Sequence, residues 1–220
     1  MATTSAPRPP HGTNSPTLNY AMQFDNDAIA RARELVDAAH DADPVRTADG
    51  KAAERVYADR MEAWVTRLVP DASPLLRLAA RCQHLERWSV PRSEYPMDRQ
   101  GYNAWRRTLY RKQADRAREL LLSAGVKEAD ADEVATWVSK TGLRRNPGTQ
   151  ALEDAACLVF FENEIESFAA DHPEYSKEKW VDIIRRIWRK MSEPAREHAL
   201  RLEMPPALAA LLREAIGDID

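Results

Sequence analysis

Glycine, cysteine and long apolar runs are all scarce in this chain, and each scarcity closes off a class of protein. Only seven glycines occur in 220 residues, beside abundant alanine, leucine, arginine and glutamate. That mixture favours helices, because glycine is costly inside them and the other four are not. The two cysteines, Cys82 and Cys157, both fall inside helical patterns. A chain of this size needs no disulfide staple, so both are read as small buried hydrophobes in a reducing cytoplasm. No apolar run approaches the ~18 residues that a membrane span requires. The opening segment MATTSAPRPPHGTNSPT has no apolar signal core, and residues 1–22 are read as a disordered tail ahead of one helical domain, residues 23–220. An excess of basic charge is missing too. The net charge is -3 with a pI near 6.0, which counts against a nucleic-acid or membrane-surface binder.

Familiar catalytic signatures are also missing. The sequence has no glycine-rich phosphate loop, no cysteine pairs at zinc spacing, no nucleophile elbow and no His-Glu-x-x-His. The paired Glu-x-x-His repeats of ferritin-like di-iron proteins do not occur either.

What is present reads as helix throughout. Asp25 or Asn26 caps a first helix that stops before Pro44, and a second ends at Pro70. Ser73 with Pro74 starts a third, buried along Leu75, Leu76, Leu78, Cys82 and Leu85 and ending before Pro91. After the loop RSEYPMD a long helix runs from Asp98 or Arg99 to about Ala124, stopped by Gly125, and a shorter one ends at Gly142. LRRNPGTQ then connects to an apolar helix through ALEDAACLVFFENEIESFAADHP, and three more helices finish the chain. The expected fold is an all-α bundle of about eight or nine helices in one domain.

Chemistry concentrates in RCQHLERWSVPRSEYPMDRQGYNAWR. His84 lies three residues after Arg81 and three before Arg87, which on a helix aligns them in one stripe at the edge of the core. A lone histidine in such a place is most simply a satisfied structural residue. The arginines shift the balance, because the only acids nearby in sequence are Glu86, Glu94 and Asp98. Guanidinium groups bind carboxylate or phosphate in planar, bidentate geometry and stack on aromatics. The segment therefore reads either as an anion pocket of Arg81, Arg87, Arg92, Arg99 and Arg106 walled by Tyr95, Tyr102 and Trp105, or as a solvated arginine face over packed tyrosines.

A second cluster opens the apolar helix at Glu153 and Asp154. Acids in a first turn are favoured by the helix dipole. Here, however, they share faces with Cys157, Leu158 and Phe161, so at least one carboxylate points inward and needs a cation, an arginine or a metal. His11, His40, His172 and His198 fall in the tail, at a helix end, beside Pro173 and on a charged face; none stands out as a ligand.

LRLAARCQHLERWSVPRSEYPMDRQGYNAWR followed by LEDAACLVFFE resembles the proteins grouped as domain of unknown function 4202, over roughly residues 25 to 190. That resemblance implies a fold more than a reaction. More distantly, the helix pattern is similar to the HD superfamily of metal-dependent phosphohydrolases, in which histidines and aspartates collect a divalent metal that activates water on a phosphoester. The comparison puts His84 at the His of the His-Asp pair and Asp154 at the late Asp, making these two the candidate ligands for one divalent metal ion. Leu85 stands where the pair's Asp would be, Tyr57 or Arg60 where an early His is expected, and Gln113 and Lys140 at later histidine positions.

The sequence thus points to a cytoplasmic HD-like hydrolase or related enzyme on a small anionic metabolite, phosphate- or carboxylate-bearing. Its candidate catalytic residues are His84, Asp154, Glu153 and Lys140. The alternatives are a non-catalytic anion-binding module that has lost the metal ligands and, further off, a metal-dependent oxygenase. A homodimer is compatible with the sequence; a membrane partner is not.

Overall fold

Polar side chains start most of the helices. Asp25 accepts from the N–H groups of Asp27 and Ala28 and opens α1 (Asn26–Asp41); α2 (Ala53–Leu68) has no such cap. Ser73 accepts from Leu76 N–H, and Pro74 takes the first position of α3 (Pro74–Arg81), where its missing N–H costs nothing. Asp98 caps α4 (Arg99–Ser123) and Asn146 caps α6 (Pro147–Val159), with α5 (Glu128–Val138) between them. The chain continues through α7 (Ile165–Asp171), α8 (Lys177–Trp188) capped by Ser176, α9 (Glu193–Leu200) capped by Ser192, and α10 (Pro206–Gly217). The computed structural model describes residues 24–217, and the expected disordered tail lies outside them. Among the described residues there is no strand, and no helix is long and apolar enough to cross a membrane.

The bundle is built around α6. Residues Ala151, Leu152, Ala155, Leu158 and Val159 are buried, and so are the polar Thr149, Glu153 and Asp154. Helices α2, α3, α5 and α9 all pack on α6, so it has no solvated face to spare. Gly148 lets its first turn close on α5: a Cβ there would overlap the Trp137 indole.

Besides α5, which stops at Val138 short of the expected Gly142, three boundaries differ from expectation. First, α3 stops at Arg81 instead of running toward Pro91. The chain then turns through His84 (φ 60°) and Glu86 (φ 50°), both left-handed, into a 3₁₀ turn at Arg87–Ser89. This departure delivers Val90 to a small second core with Trp105 and Leu109, and Trp105 Nε1 donates to Val90 O at 2.8 Å. His84 is therefore on a turn, and the helical stripe of Arg81, His84 and Arg87 does not form. Second, α6 begins at Pro147, inside the segment expected to be a connection, because Asn146 and Pro147 supply a cap and a first residue. Third, a π-helical turn at Phe160–Glu164 divides the expected apolar helix into α6 and α7, which gives ten α-helices among the described residues where about eight or nine were expected.

Candidate functional site

Two of the expected site residues have structural work instead. Arg81 is 1% exposed. Its Nη1 donates to Asp59 at 2.7 Å and Glu62 at 2.9 Å, while Nε and Nη2 hold Asp37. Those acids belong to α1 and α2, beyond the reach of any count along the local sequence. With three carboxylates on it and its side chain buried, the Arg81 charge is already neutralised within the protein. Asp154 is likewise spent: Oδ1 accepts from Ser192 N at 2.8 Å and Gln150 Nε2 at 2.9 Å, and Oδ2 from Ser192 Oγ at 2.6 Å. It ties α6 to the start of α9. Burial pushes its carboxyl up from the usual range.

His84 sits at the centre of a different group. Its Nδ1 is 3.2 Å from Glu54 Oε2, in the first turn of α2, and its Nε2 is 3.0 Å from Arg87 Nη1. Tyr57, one turn further along α2, stacks on the imidazole with ring centroids 3.9 Å apart and planes 7° from parallel. A guanidinium only donates, so Nε2 accepts and carries no proton. The ring is then neutral with its hydrogen on Nδ1, donated to Glu54. Burial, then the charges of Arg87, Arg106 and Lys140, hold the His84 pKa well below the usual value. Burial also raises the Glu54 carboxyl to about 7, against the pull of Arg87 and His40. Glu164, on the π-helical turn, is raised by burial as well, with Arg87 opposing and Glu54 adding.

The cations around this group are poorly neutralised. Among the described residues, no carboxylate lies within ion-pair distance of Arg87 or Arg106. Arg87 instead lies over the Trp105 ring, 4.8 Å from its centroid, and Arg106 donates to the hydroxyls of Tyr102 (3.0 Å) and Tyr110. Lys140 and Lys190 share one acid, Glu153, at 3.1 and 3.3 Å. Burial alone would raise the Glu153 carboxyl, but the two ammonium groups outweigh it and bring it to about 2. His84 and Lys140 both have left-handed φ without being glycine, and Glu164 occupies a π turn. Strained backbone of this kind persists where the surroundings impose it, and it gathers at functional sites.

The remaining expected residues divide. Arg92 clamps its own loop through Tyr95 O, Pro96 O and Asp98 O, so it is not a pocket arginine. Tyr95 packs on the Val90–Trp105–Leu109 cluster, and Trp105 is buried there. Tyr102 is exposed and carries Arg106, while Arg99 is exposed at the start of α4. Arg87, Arg106 and Lys140 thus come within electrostatic reach of His84, and Lys140 and Arg106 also reach Glu153; Asp154 feels Glu153 alone of these, and Arg81, Arg92 and Arg99 act on neither His84 nor Glu153.

Glu54 and Glu164 escaped the sequence reading of the site, and Tyr57 entered it only as one of two residues standing where the HD comparison expects an early His. Glu54 looks like any acid favoured by a helix N-terminus, and no local signal separates the two roles. His40, expected at a helix end, is there but fully buried, with Nε2 2.7 Å from Arg81 O. The donors do not suit a metal. Asp154 has no free oxygen, His84 has both nitrogens engaged, and among the described residues no three His, Cys, Asp or Glu side chains gather as ligands.

A family model described as a domain of unknown function (DUF4202) matches residues 30–212. No curated protein and no solved structure matches.

Proposed function

The chain belongs to the DUF4202 family, and from that premise we propose an enzyme acting on a small anionic metabolite, phosphate- or carboxylate-bearing. Arg87, Arg106 and Lys140 hold the anion, and the Glu54–His84 pair performs acid–base chemistry beside it. The observation that carries this reading is the contrast between the arginines: Arg81 has three carboxylates in direct contact, whereas among the described residues none pairs with Arg87 or Arg106, and both of these act on His84 in its left-handed turn. A pair of guanidinium groups at the core's edge with, among the described residues, no carboxylate in ion-pair contact is stabilised by an incoming anion. Glu54, titrating at about 7, is suited to exchange protons at neutral pH.

In its HD-like form the reading would add phosphoester hydrolysis at a metal. The residues do not fit that metal, so no step is assigned to one. A second reading, a binding module without turnover, is favoured by one observation: both His84 nitrogens already have partners.

Inorganic phosphate and acetate titrated separately into the protein, with His84 ring resonances followed by NMR, test the anion site. Saturable shifts with either anion that weaken about tenfold or more in Arg87→Met and Arg106→Met are expected, the loss of a charge-assisted contact. Binding unchanged in both variants would remove the proposal. A stabilising phosphomonoester recovered intact after long incubation favours the module over the enzyme.

A further inference from the structure

A cleft of about 310 Å³ lies between the 85–90 segment and α4, behind the turn that presents His84 and Arg87. Its size is at the small end for ligand pockets. Leu85, Val90 and Leu109 give it an apolar lining. Gln113, in the same wall, is 4% exposed, yet its amide nitrogen has no hydrogen-bond partner. Buried donors in native proteins are normally satisfied, so an orphan beside a cleft asks for a ligand oxygen. At the rim Lys112 and Asp115 are exposed, and neither has an ion-pair partner among the described residues. Arg116 is different, already tied to Glu86 at 3.0 Å and Glu119 at 2.9 Å.

One free cation, one free anion, one unpaired buried donor and an apolar wall describe a single class of partner. We propose that this cleft binds a small zwitterion with an aliphatic body, of the leucine class of α-amino acids. The ligand carboxylate meets Lys112 and the Gln113 amide, the ammonium meets Asp115, and the side chain lies on Leu85, Val90 and Leu109. The site is also placed to act on its neighbour. Leu85 and Glu86 are the wall of the cleft and also the two residues between His84 and Arg87. Glu86 is held in its left-handed conformation with Arg116 as latch. A ligand that displaces this wall displaces the His84–Arg87 contact with it. The binding half of the proposal stands apart from the anion-site reading; the coupling half rests on it.

The test is a titration of the 220-residue chain, methyl-labelled at leucine and valine, with L-leucine. Saturable shifts at Leu85, Val90 and Leu109 are expected, accompanied by movement of the His84 ring signals. Isovalerate, 3-methylbutylamine and glycine each lack one recognised part and should bind about tenfold more weakly or worse. Lys112→Met and Gln113→Leu should each weaken leucine binding to a similar degree, whereas His84→Ala should leave it intact. Equal shifts from leucine and the three fragments, or full affinity in both cleft variants, overturn the site. Methyl shifts with His84 unmoved overturn the coupling.

Discussion

An arginine donates hydrogen bonds and never accepts them, and that fact decides where the proton sits on His84. With Arg87 on Nε2, the hydrogen must be on Nδ1, facing Glu54. Long-range ¹H–¹⁵N NMR of the imidazole reads this directly: the expected spectrum shows a protonated Nδ1 and a bare Nε2 at neutral pH. The opposite tautomer would dissolve the Glu54–His84–Arg87 chain. The same residue type has opposite duties six positions apart. Arg81 is buried among three carboxylates, and Arg87 has none in ion-pair contact among the described residues. Counting acids near each arginine in sequence treated the two alike. The partners that separate them, Asp37, Asp59 and Glu62, come from α1 and α2, and only packing brings them near.

At the scale of elements, Arg81 is a joint. It fastens the end of α3 to α1 and α2, and its backbone carbonyl receives His40 as well. Arg81→Met should cost roughly 3–5 kcal/mol in urea unfolding, because it strands partly buried carboxylates. The folded fraction should still bind phosphate with wild-type affinity. A small stability loss, or a loss of phosphate binding at full stability, contradicts the structural role. The early end of α3 is itself an element-scale result. Helical periodicity through Leu85 was real, yet Leu85 reaches the core from a turn, and Val90 is drawn to Trp105 and Leu109 on α4. Apolar spacing registers that a residue is buried, not which element carries it in. The π turn at Phe160–Glu164 left no comparable mark on the sequence, since one extra residue in a helix preserves the apolar content.

Across the molecule, folding holds titratable groups away from their ordinary values in both directions. Glu54 keeps its proton up to about pH 7 when folded, while in the unfolded chain it releases it near 4.5. Between those values the folded state binds the extra proton, so this group makes stability fall as pH rises. His40 and His84, lowered chiefly by burial, act in the opposite sense: the unfolded chain takes up their protons first as pH drops through about 6.5, and stability is lost. Glu54→Gln removes one side of this opposition. Relative to wild type it should gain about 3 kcal/mol at pH above about 7, shrinking toward zero near pH 4.5. Urea titrations at several pH values measure the difference. A gap that does not change with pH contradicts a burial-raised carboxyl at Glu54.

The sequence by itself determined the all-helical class, the cap at Ser73, the start of α1 to within the choice of Asp25 or Asn26 and that of α4 to within Asp98 or Arg99, and the family. It also marked out His84, Arg87, Arg106, Lys140 and Glu153, but only within a wider set in which Arg81, Arg92, Arg99 and Asp154 stood on equal terms. Caps and helix preference act over a few neighbouring residues, so the local string contains them. Only the tertiary structure decided which arginines are already neutralised, that Asp154 holds Ser192, and that Glu54 faces His84. Ion pairing and burial depend on what lies within a few ångströms, and here those partners are drawn from residues 19 to 44 positions away along the chain.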